Sequence, residues 1–140
     1  PAGYHITGFG VISAARAACE AMERDFSSQR IAIEGFGQVG VGASIYASRH
    51  GAKIVAISTI DGAIYNEAGL DIDRLNLLRR EHGDRCVLEY GDAETISHSQ
   101  LFELPVDVLV PCARPKVFDD ACMPQEHLSC GYSHSRSKVT

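Results

Sequence analysis

Nowhere does the sequence run for roughly 18 apolar residues in a row, so no membrane span is expected. No charged stretch followed by an apolar one and a small-residue cleavage site opens the chain, so export is not expected either. Positive charge is in short supply. Thirteen Lys and Arg against 18 Asp and Glu leave a net charge of -5, which argues against nonspecific nucleic-acid binding. The five cysteines are odd in number and form no paired framework. Cys19, Cys86 and Cys112 sit in apolar surroundings and read as buried thiols, which makes a reducing cytoplasm the expected compartment. Neither a Gly-x-Ser-x-Gly elbow nor a P-loop lysine pattern occurs, so hydrolase and triphosphatase chemistry lose their usual signatures. No internal repeat is visible.

What is present is one domain's worth of chain. A sequence of 140 residues buries about two-thirds of its unfolded surface on folding, and 45% apolar residues suffice for a core. The first residue is Pro1, so the chain is either processed or a piece of something longer.

Apolar and alanine residues recur at helical spacing from Gly8 to Arg24 (Val11, Ile12, Ala14, Ala15, Ala18, Cys19, Met22), and alanine favours helix strongly. Ser27 and Ser28 mark a loop. Ile31-Ala32-Ile33-Glu34 then reads as a short buried strand that breaks into Gly35-Phe36-Gly37-Gln38-Val39-Gly40 and on into a helix ending near His50. Gly51 suits the C-terminal cap. A second strand is expected from Ile54 to Ser58, followed by an Asp61-Gly62 turn and a short extended piece, Ala63 to Tyr65. Asp71 suits the N-cap of a helix through about His82, which Gly83 stops. Val87 to Tyr90 reads as a strand, Ser97 as the cap of a short helix over Gln100 to Leu104, and Val106 to Val110 as a buried parallel strand. After about Met123 periodicity dissolves, and residues 124–140 read as a loose tail.

The pattern Gly35-x-Gly37-x-x-Gly40 is the dinucleotide fingerprint. Gly35 permits the tight turn leaving the strand. Gly37 lets a diphosphate approach bare backbone. Gly40 lets the helix lie close to the strand. The helix N-terminus offers unpaired N–H groups and a positive dipole end. With 13 glycines in the chain a chance match is easy, so context decides. Strand, turn, helix and second strand follow one another within the roughly 30 residues of a βαβ unit.

Four segments resemble the C-terminal, cofactor-binding domain of the glutamate/leucine/phenylalanine/valine dehydrogenases: Thr7-Gly8-Phe9-Gly10-Val11; Gly35 to Gly40; Gly62-Ala63-Ile64-Tyr65-Asn66 with Gly69-Leu70-Asp71-Ile72; and Val106 to Ala113. The likeness runs from residue 7 to about 120. It implies an α/β, Rossmann-type doubly wound domain with a mostly parallel sheet, spanning residues 1–123 with its core at 29–120. It also implies hydride transfer at the α-carbon of an amino acid, with NAD as cofactor or NADP in its place, and assembly into a homo-oligomer. By the same resemblance Thr7 would face the nicotinamide carboxamide, and Cys112 and Ala113 would line the nicotinamide side. Backbone N–H groups near Gln38 and Val39 would hold the pyrophosphate beside Gly35, Phe36 and Gly37. Ser58, Thr59 and Asp61 would lie beside the adenosine ribose.

The chain also departs from the pattern. Gly3 replaces the family's arginine, Gln38 its asparagine in the fingerprint, and Lys116, after Pro115, the asparagine beyond the Pro-x-Ala turn. The last family strand and its Gly-Ala-Asn turn do not follow Asp120. The family's catalytic lysine and aspartate belong to a separate amino-acid-binding domain that these residues do not contain. No catalytic residue is therefore assigned, and this chain alone is not expected to turn over substrate. Two other readings stand beside this one: a stand-alone nucleotide-binding regulatory module, and a fold kept for assembly without a ligand.

Other residues invite sharper readings than they support. Asp61 stands 21 residues past Gly40, near the spacing for a carboxylate on the ribose 2′-hydroxyl, yet it equally begins the Asp61-Gly62 turn. Thr59 is neutral and tolerates a 2′-phosphate. Asp61 would repel one and no arginine follows closely, so NAD is favoured over NADP. Cys122, His127, Cys130 and His134 are four potential zinc ligands, but their spacing matches no standard pair and no metal site is expected. His5, His50, His82 and His98 read as surface or cap residues, and Arg79-Arg80 as the solvated end of a helix.

Overall fold

The computed structural model describes residues 6–113. Five helices and five strands follow the order α1 (Ile6–Ala21), β1 (Arg30–Glu34), α2 (Gln38–Arg49), β2 (Lys53–Thr59), β3 (Gly62–Tyr65), α3 (Ile72–His82), α4 (Cys86–Glu89), β4 (Glu94–Ile96), α5 (His98–Glu103) and β5 (Val108–Pro111). The strands form one sheet in the order β4-β3-β2-β1-β5. β1 pairs in parallel with both β2 and β5, whereas β3 and β4 extend the sheet antiparallel beyond β2. The chain thus leaves β1 toward β2 on one side and returns to it with β5 on the other. The crevice at a sheet's carboxyl end opens at such a reversal.

Side-chain alternation assigns the two faces. Ile31 and Ile33 of β1 join the larger core under α1, α2, α3 and α4, while Ala32 joins the smaller core with Leu101 of α5. β2 breaks the alternation. Its pairing with β1 skips Val55, because Ile31 faces Ile54 and Ala32 faces Ala56. One extra residue at this irregularity puts Val55 and Ala56 together in the smaller core. Each isoleucine sealed in this way contributes about 1.5–3 kcal/mol relative to exposure.

Helix boundaries follow the capping chemistry. Asp71 accepts the Arg74 N–H at the start of α3, and Gly83 ends it with a φ of 63°. Ser97 opens α5 in a reciprocal box: its hydroxyl accepts the Gln100 N–H, and the Gln100 side chain accepts the Ser97 N–H. α1 ends at Ala21 rather than near Arg24, and Glu23 takes a φ of 57° just beyond it.

Val87 to Tyr90 is not a strand; Cys86–Glu89 is a helical turn. Cys86, Val87 and Tyr90 are buried while Leu88 and Glu89 are exposed, a helical rather than an alternating pattern. The edge strand comes later, as β4, in a polar segment without a periodicity signal. Among the described residues no helix is long and apolar enough to cross a membrane. The expected tail 124–140, the boundary at 123, the cysteine–histidine set 122–134, His5, Gly3, Pro115 and Lys116 lie outside the described residues.

Candidate functional site

A cavity of about 400 Å³ opens at the carboxyl ends of β1, β2 and β5, lined by residues 34–37, 58–60, Asp84, His98, Cys112 and Ala113. Its floor is the glycine turn. The Gly35 N–H donates to the Ser58 carbonyl at 3.1 Å and to Ser58 Oγ at 3.2 Å, which ties the turn to the end of β2. Gly35 has a φ of 95°, a conformation that a side chain would strain. The Phe36 ring is buried in the larger core.

Gly37 is the N-cap of α2, with no side-chain hydrogen bond closing the helix end. A Cβ built on Gly37 would meet nothing within 4 Å. Gly37 therefore presents bare backbone to open space, and Gln38, Val39 and Gly40 follow in the first turn of α2. Gly40 is different: a Cβ there would lie 1.9 Å from the Gly35 carbonyl oxygen. The three glycines thus divide into a turn, an open position and a packing contact.

The remaining expected site residues are distributed unevenly. Ser58 is buried at the cavity wall, and its hydroxyl serves the Gly35 N–H. Thr59 also lines the wall, but its hydroxyl is engaged: it donates to the Asp84 carbonyl at 2.6 Å and accepts the Asp61 N–H at 3.2 Å. Asp61 is exposed in the β2–β3 turn and is not among the lining residues. Cys112 donates its N–H to the Glu34 carbonyl at 2.7 Å, and Ala113 donates to a Glu34 carboxylate oxygen at 3.2 Å. These bonds fasten the end of β5 across the mouth of β1. Burial pushes the Cys112 thiol up to about 12, and the neighbouring Glu34 carboxylate adds to the rise. Thr7 is exposed on the first turn of α1 and does not line the cavity.

α1 is held close to the fingerprint helix. A Cβ on Gly8 would lie 2.4 Å from the Ala43 nitrogen and 2.6 Å from the Val39 carbonyl oxygen, so the two backbones touch. The Phe9 and Tyr46 rings meet at 5.0 Å beside this contact, their planes tilted by 42°.

Several residues reach the site with little or no signal in the sequence. Glu34 ends an apolar strand, an odd place for a carboxylate, and that oddity was the available clue. Asp84 arrives from the α3–α4 connection and His98 from the first turn of α5, far away in sequence. The His98 Nε2 lies 2.6 Å from the Thr59 carbonyl oxygen, so His98 caps the end of β2 as well as beginning α5. Arg79 is not simply a solvated helix end: its Nε–H donates to the Phe36 carbonyl at 2.8 Å. Among the described residues no group of three His, Cys, Asp or Glu could hold a metal ion. The assembled geometry is that of a cradle, with an uncapped helix end facing open space and Arg79 bonded to the turn.

The comparisons with known proteins agree in direction. Residues 2–130 match the family model described as Glutamate/Leucine/Phenylalanine/Valine dehydrogenase. The chain is 37% identical over 114 residues to glutamate dehydrogenase of Aeropyrum pernix, covering 81% of this chain and 27% of that protein. It is 40% identical over 108 residues to glutamate dehydrogenase of Thermotoga maritima, covering 76% of this chain and 26% of that one. Among solved structures, the hetero-hexameric glutamate dehydrogenase of Thermus thermophilus in its leucine-bound form superposes with a TM-score of 0.75 at 25% identity, over 85% of this chain and 27% of that one. The chain therefore spans only about a quarter of the length of the relatives it matches. By the reach of the family match, and with the α/β fold of its structural neighbours, this chain belongs to the glutamate/leucine/phenylalanine/valine dehydrogenase family.

Proposed function

We propose that this chain is the cofactor-binding portion of a glutamate-type amino-acid dehydrogenase and that its crevice takes a nicotinamide dinucleotide. The observation that carries the reading is the open space at Gly37, at the mouth of a cavity of about 400 Å³ and at the N-terminus of α2. The donor set fits a diphosphate, since uncapped N–H groups and a positive helix end are what such a group requires.

The backbone of Gln38 and Val39 would hold the diphosphate. Ser58, Thr59 and Asp61 would stand toward the adenosine ribose, with Thr59 contributing backbone and shape because its hydroxyl is engaged. Cys112, Ala113 and Thr7 would stand toward the nicotinamide. When bound, the nicotinamide ring supplies the hydride acceptor for oxidation at an amino-acid α-carbon. The protein's part is to aim that ring at a substrate held by another domain, and residues 34–37 with 111–113 form the rigid rim that does so. NAD is preferred, because Asp61 brings negative charge near the end of β2.

The free thiols Cys19, Cys86 and Cys112 suit a reducing, cytoplasmic setting. Assembly into a hexamer would follow the pattern named for the Thermus thermophilus neighbour.

Calorimetric titration with NAD and NADP tests the reading. Heat with NAD, weaker heat with NADP and no turnover of glutamate by the chain alone is the expected result. Silence with both cofactors would leave a fold kept for assembly.

A further inference from the structure

We infer that Arg79 is a positioning residue of the phosphate-binding turn: it holds the Phe36 carbonyl toward α3, so that the N–H of the following Gly37 faces the crevice. This rests on the dinucleotide reading above and adds the side chain that shapes the cradle.

The contact spans 43 residues of sequence, with the Arg79 Nε–H donating to the Phe36 oxygen at 2.8 Å. The described peptide bonds are all trans. In a trans peptide the C=O and the N–H of the next residue point in opposite directions. Fixing the Phe36 oxygen on Arg79 therefore fixes the Gly37 N–H on the other side of the same plane. Gly37 is where a Cβ would find open space, and both residues line the cavity. Without the Arg79 donor the Phe36 carbonyl is free to rotate its negative end toward the crevice, where it would repel a diphosphate.

Charge supports the same assignment. Arg79 is half-buried, and among the described residues no salt bridge engages it. The cavity wall carries Glu34 and Asp84, so its own side chains do not favour an anion. A guanidinium beside the turn offsets that bias. Complementing the α3 dipole does not account for the contact, since the exposed Arg80 and His82 already serve the helix end without reaching the turn.

The experiment compares ADP-ribose with adenosine as ligands for the 140-residue chain, in wild type and in Arg79→Gln. ADP-ribose carries the diphosphate and adenosine does not. Arg79→Gln should weaken ADP-ribose about tenfold, the scale of one charge-assisted hydrogen bond, and leave adenosine unchanged. Arg79→Lys keeps the charge and a donor and should recover part of the loss; it carries the comparison alone if the glutamine variant does not fold. Equal weakening of both ligands, or none of either, would overturn the positioning role while the dinucleotide reading stands. Failure of the wild type to bind ADP-ribose would overturn that reading and this inference with it.

Discussion

The α-carbon of Gly40 sits directly against the carbonyl of Gly35, so that an added Cβ would lie 1.9 Å from that oxygen and 2.9 Å from its carbon. The obstacle is backbone, which cannot rotate away as a side chain can. Alanine in a helix interior ordinarily gains about 1 kcal/mol over glycine. Here that gain is outweighed by overpacking, which costs about 3 kcal/mol when main chain must move. Gly40→Ala should lower the urea midpoint with little change in slope. An unchanged or raised midpoint would mean that α2 and the turn separate more easily than their contact suggests.

Gly37→Val makes the complementary case. Its Cβ enters open space, and the backbone φ of -83° suits any residue. Stability should therefore fall by no more than about 1 kcal/mol, the scale of an apolar residue at an N-cap. Binding of NAD should fall below detection, because the side chain occupies the approach to the uncapped end of α2. A variant that melts like wild type and still binds NAD at wild-type affinity would put the cofactor elsewhere. Paired with Gly40→Ala, this variant separates an effect on cofactor binding from an effect on the fold.

These two positions also mark what could be read from sequence. Strand, glycine turn, helix and second strand were legible because local rules act in concert there: a β-branched run, glycines at fixed offsets, apolar residues at helical spacing. Asp71 and Ser97 announced helix starts through side-chain capping, and Gly83 a helix end through its freedom to take a positive φ, all of which operate within four residues. Val87 to Tyr90 misled because three apolar or aromatic residues around one glutamate fit a strand or a helical turn equally well, and tertiary burial of Cys86, Val87 and Tyr90 chose the helix. Arg79, Asp84 and His98 were invisible as site residues. Their roles depend on contacts such as Arg79 to Phe36 and His98 to Thr59, which no local pattern encodes.

Ser97 offers a local test of the wall that carries His98. Ser97→Ala removes the acceptor for the Gln100 N–H and breaks the reciprocal box. The expected cost is about 1 kcal/mol. α5 has six residues and leans on its cap, so the loss should appear first as faster amide exchange at Gln100 and Leu101. Equal exchange in variant and wild type would assign the helix start to packing of Leu101 rather than to the cap.

Cys112 makes the fold sensitive to alkali. Its thiol is pushed from an ordinary 9.0 up to about 12, chiefly by burial and then by the Glu34 carboxylate. The folded chain therefore holds this proton over a range where the unfolded chain has released it. That contribution is fully present below about pH 9 and is lost progressively as the pH rises toward 12. Cys19 and Cys86 are shifted in the same direction by burial, so the decline should not vanish when one thiol is removed. Cys112→Ala should make it shallower: urea midpoints compared between about pH 9 and 11 should fall less steeply in the variant than in wild type. Parallel slopes would mean that the Cys112 thiolate is tolerated in the folded state, and that the rim beside Glu34 is wetter than its burial implies.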